Sequence, residues 1–594
     1  MIREVQKIEP REISLRDLVL KSNYLFRVSN YQRYYVWTQK AVRQFLSDGE
    51  FCWIQSQEEN AFIHFAGQIS LRTMESIGGC STKVEIVDGQ QRLTTFMLLI
   101  AVASQIIGEE LHRENEADQL RSQYFVKKSD SEEAQERLIL SKTDQPFWKK
   151  LTTSIKNKNL KAETESHKHL AAAADEIYHY LKTLLGQREE DAEIVLRQYI
   201  EAIGKQFRVV LLLTPHPGYA YALYQTINDR GIPLTPGELL KARTIELLSD
   251  KKEMAHEAEQ IWDYILKDPG NVTNRYLEWN YVAFTGHKME ARTKMSIHEQ
   301  YERDFFLCHN RRILSEAEQA ALKRKLDILE QNVIRMRDLE LGKLPDGVSN
   351  SARIWFELLV VSLKNKACIP LYLKVLDMQG TNKIKTLNNL TEMLIKAFFV
   401  TKTLGGSHDT VISKCYMEIW KQIDSVHADM EEIKALLQKM IKRGDCWRTF
   451  ETKIRDDVYA KGASGNAKAK VLLLMLELYY LKKKEGGGNN YGDESININV
   501  SKLSIEHILN DSTDPYSVSR EFYESIHKIG NLTLTGRGFN SRMKNDDFEI
   551  KRERYQVSPY FLTREVGKLE QWRREDFETR QKKFIEDLPC IFAL

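Results

Sequence analysis

The sequence predicts a mostly helical α+β protein, and three observations carry that prediction. Short apolar or alternating runs of strand type occur at 64–71, 83–87 and 206–213. From about 250 to 440 the apolar residues recur at helical spacing, and glycines are few. Near the C-terminus a further alternating run, 496–504, predicts one more strand and leads into a cluster of polar residues. Strands at both ends of a long helical stretch indicate segregated α and β parts.

The length of the chain, 594 residues, indicates several domains. We expect an N-terminal domain at 1–245, a helical middle at 246–440 and a C-terminal domain at 441–594. The longest apolar runs, such as 96–103, fall far short of the ~20 residues that a membrane-spanning helix needs, so no membrane partner is expected. None of the seven cysteines forms a CxxC pair, which favours a reducing, cytoplasmic location. The net charge of +3 neither requires nor excludes nucleic acid.

The first strand runs belong to a mixed α/β region. A Gly78-Gly79 turn between them predicts a hairpin, and Asp88-Gly89 ends its second strand. A long, largely apolar helix is expected from 90 to 111, and helices with polar loops from 115 to 202. Thr235 with Glu238 three residues later predicts a capping box, with Pro236 at the first helical position.

The C-terminal part shows a clear break in its pattern. An apolar helix is expected at 467–481, followed by a flexible linker at 482–490 that contains Gly486-Gly487-Gly488. The predicted strand 496–504 comes next, and a charged amphipathic helix at 572–588 closes the chain.

The polar residues after that last strand have the composition of a hydrolytic site. Glu506 adjoins His507, Asn531 follows His507 by 24 residues, and Asn540 lies nine residues further on. This compact spacing is typical of a ββα-metal (HNH-type) nuclease finger. In such a site His507 deprotonates the attacking water, and a divalent cation stabilises the charge on the phosphate. We expect Asn531 to complete the catalytic set, and Glu506 and Asn540 to hold the cation, with Mg²⁺ as the favoured metal.

A second polar cluster lies at the mouth of the first long helix. Asp88, Gly89, Gln90, Gln91 and Arg92 join a strand end to a helix start. A helix N-terminus offers unpaired N–H groups and a partial positive charge, and an arginine adds a bidentate donor. The cluster therefore predicts a phosphate cradle without a P-loop. The alternative is an ordinary turn in which these residues only pack.

Two further segments are candidates for the same pocket. Tyr31, Gln32 and Arg33 lead a run in which aromatic side chains surround an arginine. Asn228 and Arg230 lie in the loop before the capped helix, where they can complete a nucleotide pocket. The alternative for both segments is structural, with aromatic residues in the core and a capped loop of no special function.

These motifs jointly resemble a known family. Residues 1–245 are similar to the ParB/sulfiredoxin-like domain of GmrS-type proteins, through the segments YQRYYVW, HFAGQISL, VDGQQRLTTF and NDRGIPLTPGELLKA. Residues 440–594 resemble the HNH domain of GmrD-type proteins, through SIEHIL, HKIGNLTLT and two later asparagines. Their fusion in one chain is similar to the GmrSD, BrxU and SspE class of modification-dependent DNA restriction enzymes.

The resemblance implies a bacterial antiphage enzyme that acts on modified double-stranded DNA. The N-terminal domain would bind and hydrolyse a nucleoside triphosphate (GTP, UTP or ATP) through its DGQQR motif, residues 88–92. Residues 31–33 match the family's YQR motif and would read the mark, either phosphorothioate or glucosylated and hydroxymethylated cytosine. The C-terminal domain would cut DNA through His507. Asn510 departs from the family pattern, which has proline at that position.

Two alternatives stay open at this point. The first is a DNA-binding, nucleotide-sensing regulator whose nuclease finger is an inactive scaffold, although the intact nuclease residues speak against it. The second is a toxin-like nuclease that acts on host nucleic acid without a sensor. The sequence also leaves both a monomer and a homo-oligomer open.

Overall fold

The protein is mostly helical and carries one mixed sheet, which confirms the α+β class. Contacts divide the chain into two compact units, residues 1–277 with 293–330 and residues 278–292 with 331–594. The division at 245 and 440 stays a prediction, as do the ParB-like and HNH folds. A computed structural model describes residues 10–594, apart from 29–31, 58–61, 78–80, 128–134, 154–159, 188–189, 215–233, 290–294, 310, 312, 457, 460–462, 485–497, 511–517 and 537–545.

The sheet of the first unit has six strands in the order β1-β8-β3-β4-β2-β7. Strand β3 pairs with β4 antiparallel and with β8 parallel, and β2 pairs with β4 parallel. A separate two-stranded ladder joins β5 to β6. The strands are β1 (Arg11–Ser14), β2 (Tyr24–Val28), β3 (His64–Ile77), β4 (Ser81–Asp88), β5 (Val126–Lys127), β6 (Gln135–Glu136), β7 (Leu138–Ile139) and β8 (Phe207–Thr214).

Helices cover this sheet and continue beyond it. A π-helical turn, Ile106–Glu110, extends α3, and another lies at Glu302–Phe306. The helices up to residue 340 are α1 (Leu15–Leu20), α2 (Gln39–Gln57), α3 (Gln90–Gln105), α4 (Glu114–Phe125), α5 (Gln145–Thr153), α6 (Glu165–Gly186), α7 (Ala192–Gln206), α8 (Pro236–Leu247), α9 (Lys252–Ile265), α10 (Gly270–Thr285), α11 (Ile297–Tyr301) and α12 (Glu316–Glu340).

Helix α3 is the centre of the first core. Within the described part of the chain, Gln90–Glu110 is the one helix that length and composition would allow to cross a membrane, and 83% of its most apolar window is buried. Its burial among the surrounding helices and the sheet identifies it as a core helix. The predicted helix at 90–111 is thereby confirmed to within a residue at its C-terminal end.

The three strand predictions in this unit are confirmed, and the capping box at Thr235 and Glu238 is present in α8. The Gly78-Gly79 turn lies outside the described residues. The prediction of continuous helices and loops at 115–202 was wrong at β5, β6 and β7. Those strands have two residues each, which is too short for a periodic pattern to show.

A bulge in β3 shapes the approach to α3. The pairing of β3 with β8 shifts register between Phe65 and Gln68. Gly67 lies in this bulge with a φ of 90°, a left-handed conformation that favours glycine. A Cβ atom at Gly67 would lie 3.1 Å from the Arg92 guanidinium. The bulge therefore brings the β3 backbone directly against Arg92.

The second unit is built from helices and one two-stranded antiparallel ladder, β9 (Leu503–His507) with β10 (Leu532–Gly536). Shorter π and 3₁₀ segments lie at Leu358–Ser362, Lys366–Cys368, Phe399–Leu404, Val500–Lys502 and Ile529–Asn531. The helices are α13 (Asn350–Glu357), α14 (Ile369–Leu376), α15 (Asn382–Phe398), α16 (Asp409–Lys421), α17 (Met430–Ile441), α18 (Cys446–Arg455), α19 (Ala463–Lys484), α20 (Arg520–Tyr523), α21 (Phe548–Gln556), α22 (Phe561–Gly567) and α23 (Arg574–Ile591).

The long helix α19 is fixed to the ladder and its neighbours by buried polar contacts. Lys470 Nζ donates to the Leu503 carbonyl oxygen at 3.0 Å. The buried Glu477 carboxylate accepts the backbone N–H groups of Phe561 and Leu562, at 2.5 and 2.8 Å, at the start of α22. This carboxylate satisfies donors that a helix N-terminus leaves unpaired. Helix α19 therefore belongs to the same body as β9.

The predicted strand at 496–504 was misplaced. Residues 500–502 form a 3₁₀ turn, and β9 begins at Leu503 and runs through His507. Pairing with β10 sets these limits, since Leu532 lies opposite His507 and Gly536 opposite Leu503. The predicted linker glycines at 486–488 lie outside the described residues. The helices predicted at 467–481 and 572–588 are confirmed as α19 and α23.

Candidate functional site

His507 is the last residue of β9, where its side chain is half-buried. Its Nε2 atom lies 3.2 Å from Nδ1 of His527. The Tyr459 ring meets His507 edge-on with centroids 4.6 Å apart, and it stacks on His527 at 5.3 Å. Lys551 Nζ donates to the His507 carbonyl oxygen at 2.8 Å. Backbone and imidazole are thus both held in place, while the side chain stays partly exposed.

Asn531 organises the loop that follows β9. Its side chain is fully buried, and Oδ1 accepts the backbone N–H of Leu509 at 2.8 Å and the indole N–H of Trp572 at 3.0 Å. Its Nδ2 donates to the carbonyl oxygens of Leu509 and Ile526, each at 3.0 Å. One amide therefore joins three separate segments. These contacts give Asn531 a positioning role next to the predicted base.

Glu506 occupies the opposite face of the ladder from His507, because successive side chains of a strand alternate. Its Oε1 lies 2.7 Å from Lys551 Nζ in an ion pair that is buried on both sides. The Tyr555 hydroxyl lies 3.5 Å from the same oxygen. Burial, together with this carboxylate, raises the pKa of Tyr555 well above its ordinary value. This ion pair favours a structural role for Glu506, and its role as a metal ligand stays a prediction.

The structure offers a partial donor set for a metal. Within the described residues, no group of three His, Cys, Asp or Glu side chains is placed to hold an ion. His507 and His527 bring two imidazole nitrogens together, 3.2 Å apart. Asn540, the other predicted ligand, lies outside the described residues. A divalent metal therefore stays a prediction.

The DGQQR segment forms the junction between β4 and α3. Gly89 is the N-cap of α3 with a φ of 93°, and a Cβ atom there would lie 2.6 Å from Ile69 Cγ1. Only glycine fits this turn. Arg92 Nη1 donates to the Gln68 carbonyl oxygen at 2.5 Å, which holds the guanidinium beside the β3 bulge. The predicted positions of Asp88 and Arg92, at a strand end and in the first helical turn, are confirmed.

Asp88 is a partly buried carboxyl group that interacts electrostatically with Arg92 and Arg33. Burial raises its pKa above the ordinary value, and Arg92, the Gly89 N–H and Arg33 act in the opposite direction. Guanidiniums and the N–H groups of a helix N-terminus can bind phosphate oxygens, and a neighbouring carboxylate can orient a water molecule.

The two glutamines of the motif have different environments. Gln91 Oε1 accepts the N–H groups of Val36 and Trp37, at 2.9 and 3.3 Å, and its Nε2 donates to the Tyr34 carbonyl oxygen at 3.2 Å. Gln91 therefore joins residues 34–37, which belong to the aromatic run that begins at Tyr31, to α3. This geometry does not support direct contact between Gln91 and a phosphate. Gln90 is buried, and its Oε1 has no hydrogen-bond partner within the described residues.

A cavity of about 290 Å³ opens beside the aromatic segment, within the first unit. Backbone and side chains of residues 32–36 form one wall. Tyr31, Asn228 and Arg230 lie outside the described residues. The remaining walls combine hydroxyl and carboxylate groups with a lysine, a histidine and apolar side chains, and they include Thr143, Ser166, Thr235, Thr273, Glu238, Asp263, Lys267, His169, Leu266 and Pro269.

One lining residue carries a polar atom without a partner. Gln32 is only 6% exposed, its Nε2 donates to the Val87 carbonyl oxygen, and its Oε1 has no partner within the described chain. Opposite it, Asp263 Oδ1 accepts both the Tyr34 hydroxyl and Lys241 Nζ, each at 2.7 Å. Burial first, and then Asp263, raises the pKa of Tyr34 far above its ordinary value. Its phenol is therefore protonated at neutral pH.

Sequence reasoning missed several residues that the structure brings to these sites. His527 and Tyr459 join His507, although His527 lies within the same motif as Asn531. Its histidine identity was the available signal, since an imidazole is a common general acid or base and a common metal ligand. Tyr459 and Asp263 gave no local signal, because their contacts depend on tertiary packing.

Two family models match this chain and together cover more than half of it. The model of the N-terminal domain of GmrSD restriction endonuclease matches residues 15–245, and the model of the C-terminal domain of GmrSD restriction endonucleases matches residues 448–587. The first range contains the DGQQR junction and residues 32–36, and the second contains His507, His527 and Asn531. A search of curated proteins gave no match.

Proposed function

This chain belongs to the GmrSD restriction endonuclease family, and we propose that His507 is the general base with which it cleaves DNA. The observation that carries this proposal is the placement of His507 at the end of β9, half-buried and held at Nε2 by His527 at 3.2 Å. A base needs an accessible ring and a fixed orientation, and this site supplies both. His507 would remove a proton from the water that attacks the phosphodiester.

The residues around His507 contribute orientation rather than charge. Asn531 fixes the loop after β9, and Lys551 holds the His507 carbonyl oxygen. A divalent metal such as Mg²⁺, when bound, would stabilise the negative charge that builds on the phosphate. Of its predicted ligands, Glu506 is withdrawn into an ion pair with Lys551. Asn540 stays the proposed ligand for the metal.

The DGQQR junction supports a nucleotide-binding role for the first unit. Arg92 is held at the start of α3 beside the Asp88 carboxyl group, which Arg33 also faces. We assign the phosphates of a nucleoside triphosphate (GTP, UTP or ATP) to these groups, with Asp88 orienting the attacking water. Gln91 would act indirectly, by holding residues 34–37.

The adjacent cavity suits a mark that carries hydroxyl groups. Its volume of about 290 Å³ is near the ~300 Å³ at which pockets begin to enclose small ligands. Gln32 Oε1, which has no partner among the described residues, can accept a hydrogen bond, and the Glu238 and Asp263 carboxylates are further acceptors. A glucosyl group offers several O–H donors, whereas a backbone phosphorothioate offers none. Modified phage DNA with glucosylated hydroxymethylcytosine is therefore the proposed substrate.

A nicking assay tests the base and the mark together. Wild-type protein with nucleotide and Mg²⁺ should cut glucosylated DNA in preference to matched unmodified and phosphorothioate DNA. His507→Ala should lower the rate by at least ~10²-fold. His427→Ala, at an exposed histidine of the same unit, is the control and should cut normally.

The outcomes separate the proposals. Cleavage by His507→Ala at the wild-type rate would remove His507 as the base. Equal cleavage of all three DNAs would remove the cavity as the reader of the mark. No cleavage by the wild-type protein under any condition would favour the regulator with an inactive nuclease scaffold.

A further inference from the structure

We infer that His527 is a positioning residue that sets the tautomer of His507. The inference rests on the proposed role of His507 as general base. Neither the DGQQR motif nor the H, N and N positions of the nuclease motif include His527. His527 belongs to the HKIGNLTLT segment, and the folded structure places its ring beside His507.

The hydrogen bond between the two imidazoles has two orientations. A neutral imidazole carries one N–H donor and one acceptor nitrogen. If His507 Nε2–H donates to His527 Nδ1, then Nδ1 of His507 carries the lone pair that a base needs. In the reverse orientation, His507 Nε2 accepts and its Nδ1 carries a hydrogen, so neither nitrogen can take a proton from water. Only the first orientation is consistent with general-base catalysis.

The structure holds His527 firmly enough for this task. Tyr459 stacks on its ring at an interplanar angle of 25°, and the Tyr459 N–H points to the His527 carbonyl oxygen at 3.4 Å. Asn531 Nδ2 donates to the carbonyl oxygen of Ile526, the residue before His527, at 3.0 Å. The same amide fixes Leu509, two residues after His507. Asn531 therefore sets the distance between the two histidines from both sides.

A different use of the pair has its own signature. Two imidazole nitrogens 3.2 Å apart also suit joint coordination of one cation, at metal–nitrogen distances of ~2.0–2.1 Å. In that case each facing nitrogen would carry a lone pair and no hydrogen bond would join them. The two arrangements differ in where the imidazole protons lie and in whether the histidines bind added metal.

Two substitutions distinguish the contribution of the His527 acceptor nitrogen from the contribution of its ring. His527→Phe keeps a ring to stack on Tyr459 and removes the acceptor. His527→Asn keeps an acceptor oxygen near the position of Nδ1 and removes the ring. For a lost positioning contact we expect His527→Phe to lower kcat by ~10–100-fold with little change in KM. His527→Asn should restore most of that loss.

The tautomer is measured directly on the full-length chain labelled with ¹⁵N-histidine. The inference predicts Nε2–H for His507 in the wild type and in His527→Asn, and a mixture of tautomers in His527→Phe. Co²⁺ absorption titrations of the same proteins report metal binding. Unchanged kcat in His527→Phe, equal loss in both variants, an Nδ1–H tautomer in the wild type, or Co²⁺ binding that requires His527 would each overturn it.

The tautomer measurement also distinguishes a failure of the role inferred for His527 from a failure of the role proposed for His507. Full activity of His507→Ala would remove the base itself. An Nδ1–H tautomer, combined with an inactive His507→Ala, would leave His507 essential and remove only the role of His527.

Discussion

The two candidate sites satisfy their polar atoms in opposite ways. At the nuclease site, the buried Asn531 amide makes hydrogen bonds through both Oδ1 and Nδ2 to groups of the protein itself. At the nucleotide and cavity site, the buried carbonyl oxygens of Gln32 and Gln90 have no partner within the described residues. An unpaired buried acceptor costs free energy, ~1–3 kcal/mol. We therefore treat the first site as preassembled and propose that a ligand completes the second.

The largest expected effect on stability and cleavage is at the nuclease site, where several segments depend on the Asn531 side chain. Asn531→Ala removes the four hydrogen bonds of a buried amide and should lower the free energy of unfolding by ~5 kcal/mol or more. Cleavage should be lost with it. Urea unfolding and nicking assays measure both. Asn382→Ala, at an exposed asparagine of the same unit, should change neither.

The buried ion pair of Glu506 and Lys551 tests whether Glu506 has a structural role. Glu506→Gln leaves Lys551 charged and buried, which should cost ~3–5 kcal/mol of stability. The double variant Glu506→Gln/Lys551→Met removes both charges and should recover part of that loss.

The same double variant decides the role of Glu506. Cleavage by a folded double variant agrees with a structural carboxylate. A folded double variant that binds DNA but cleaves only at raised metal concentration would support Glu506 as a metal ligand.

At the ligand-completed site, Arg92 should matter for chemistry more than for folding. Arg92→Ala removes a charge-assisted contact to phosphate and should lower nucleotide hydrolysis by ~10²–10³-fold. Arg92→Lys keeps the charge without the fork and should recover only a small part. A phosphate-release assay with GTP, UTP and ATP measures this. Nucleotide hydrolysis that persists in Arg92→Ala would show that the nucleotide site lies elsewhere in the chain.

The smallest effect is a gain in stability at the cost of function. The folded state raises the pKa of Asp88, so it binds the proton more tightly than the unfolded state does. That contribution favours folding at low pH and is lost as pH rises through the folded pKa. Asp88→Asn should therefore raise the unfolding temperature slightly at pH 8, less so at pH 5, while nucleotide hydrolysis falls. A variant that is less stable at pH 8 would contradict burial as the dominant cause.

The features that were predictable from the sequence are local ones. Gly89 between Asp88 and a helix start, and Thr235 three residues before Glu238, specify their turn and cap through backbone chemistry alone. The features that were not predictable depend on distant partners. No local pattern around Glu506 predicts its ion pair with Lys551, which lies 45 residues later in the chain. The alternation of side chains along β9 places Glu506 and His507 on opposite faces of the ladder.

The register of β9 shows the same limit. An alternating pattern does not fix the ends of a strand. The pattern predicted a start at 496, whereas pairing with β10 sets the start of β9 at Leu503. The assignments of Tyr31, Asn228, Arg230 and Asn540 stay predictions, since these residues lie outside the described part of the chain.

The attachment of α19 bears on how this protein tolerates changes in length. Lys470 and Glu477 fix α19 to β9 and α22, so residues 485–497 join two pieces of one body. Closing a connection between fixed ends costs only ~0.6 kcal/mol for each doubling of its length. Insertions and deletions in this stretch should accordingly accumulate among relatives without loss of folding, whereas α19 itself, with its polar anchors, should keep its length.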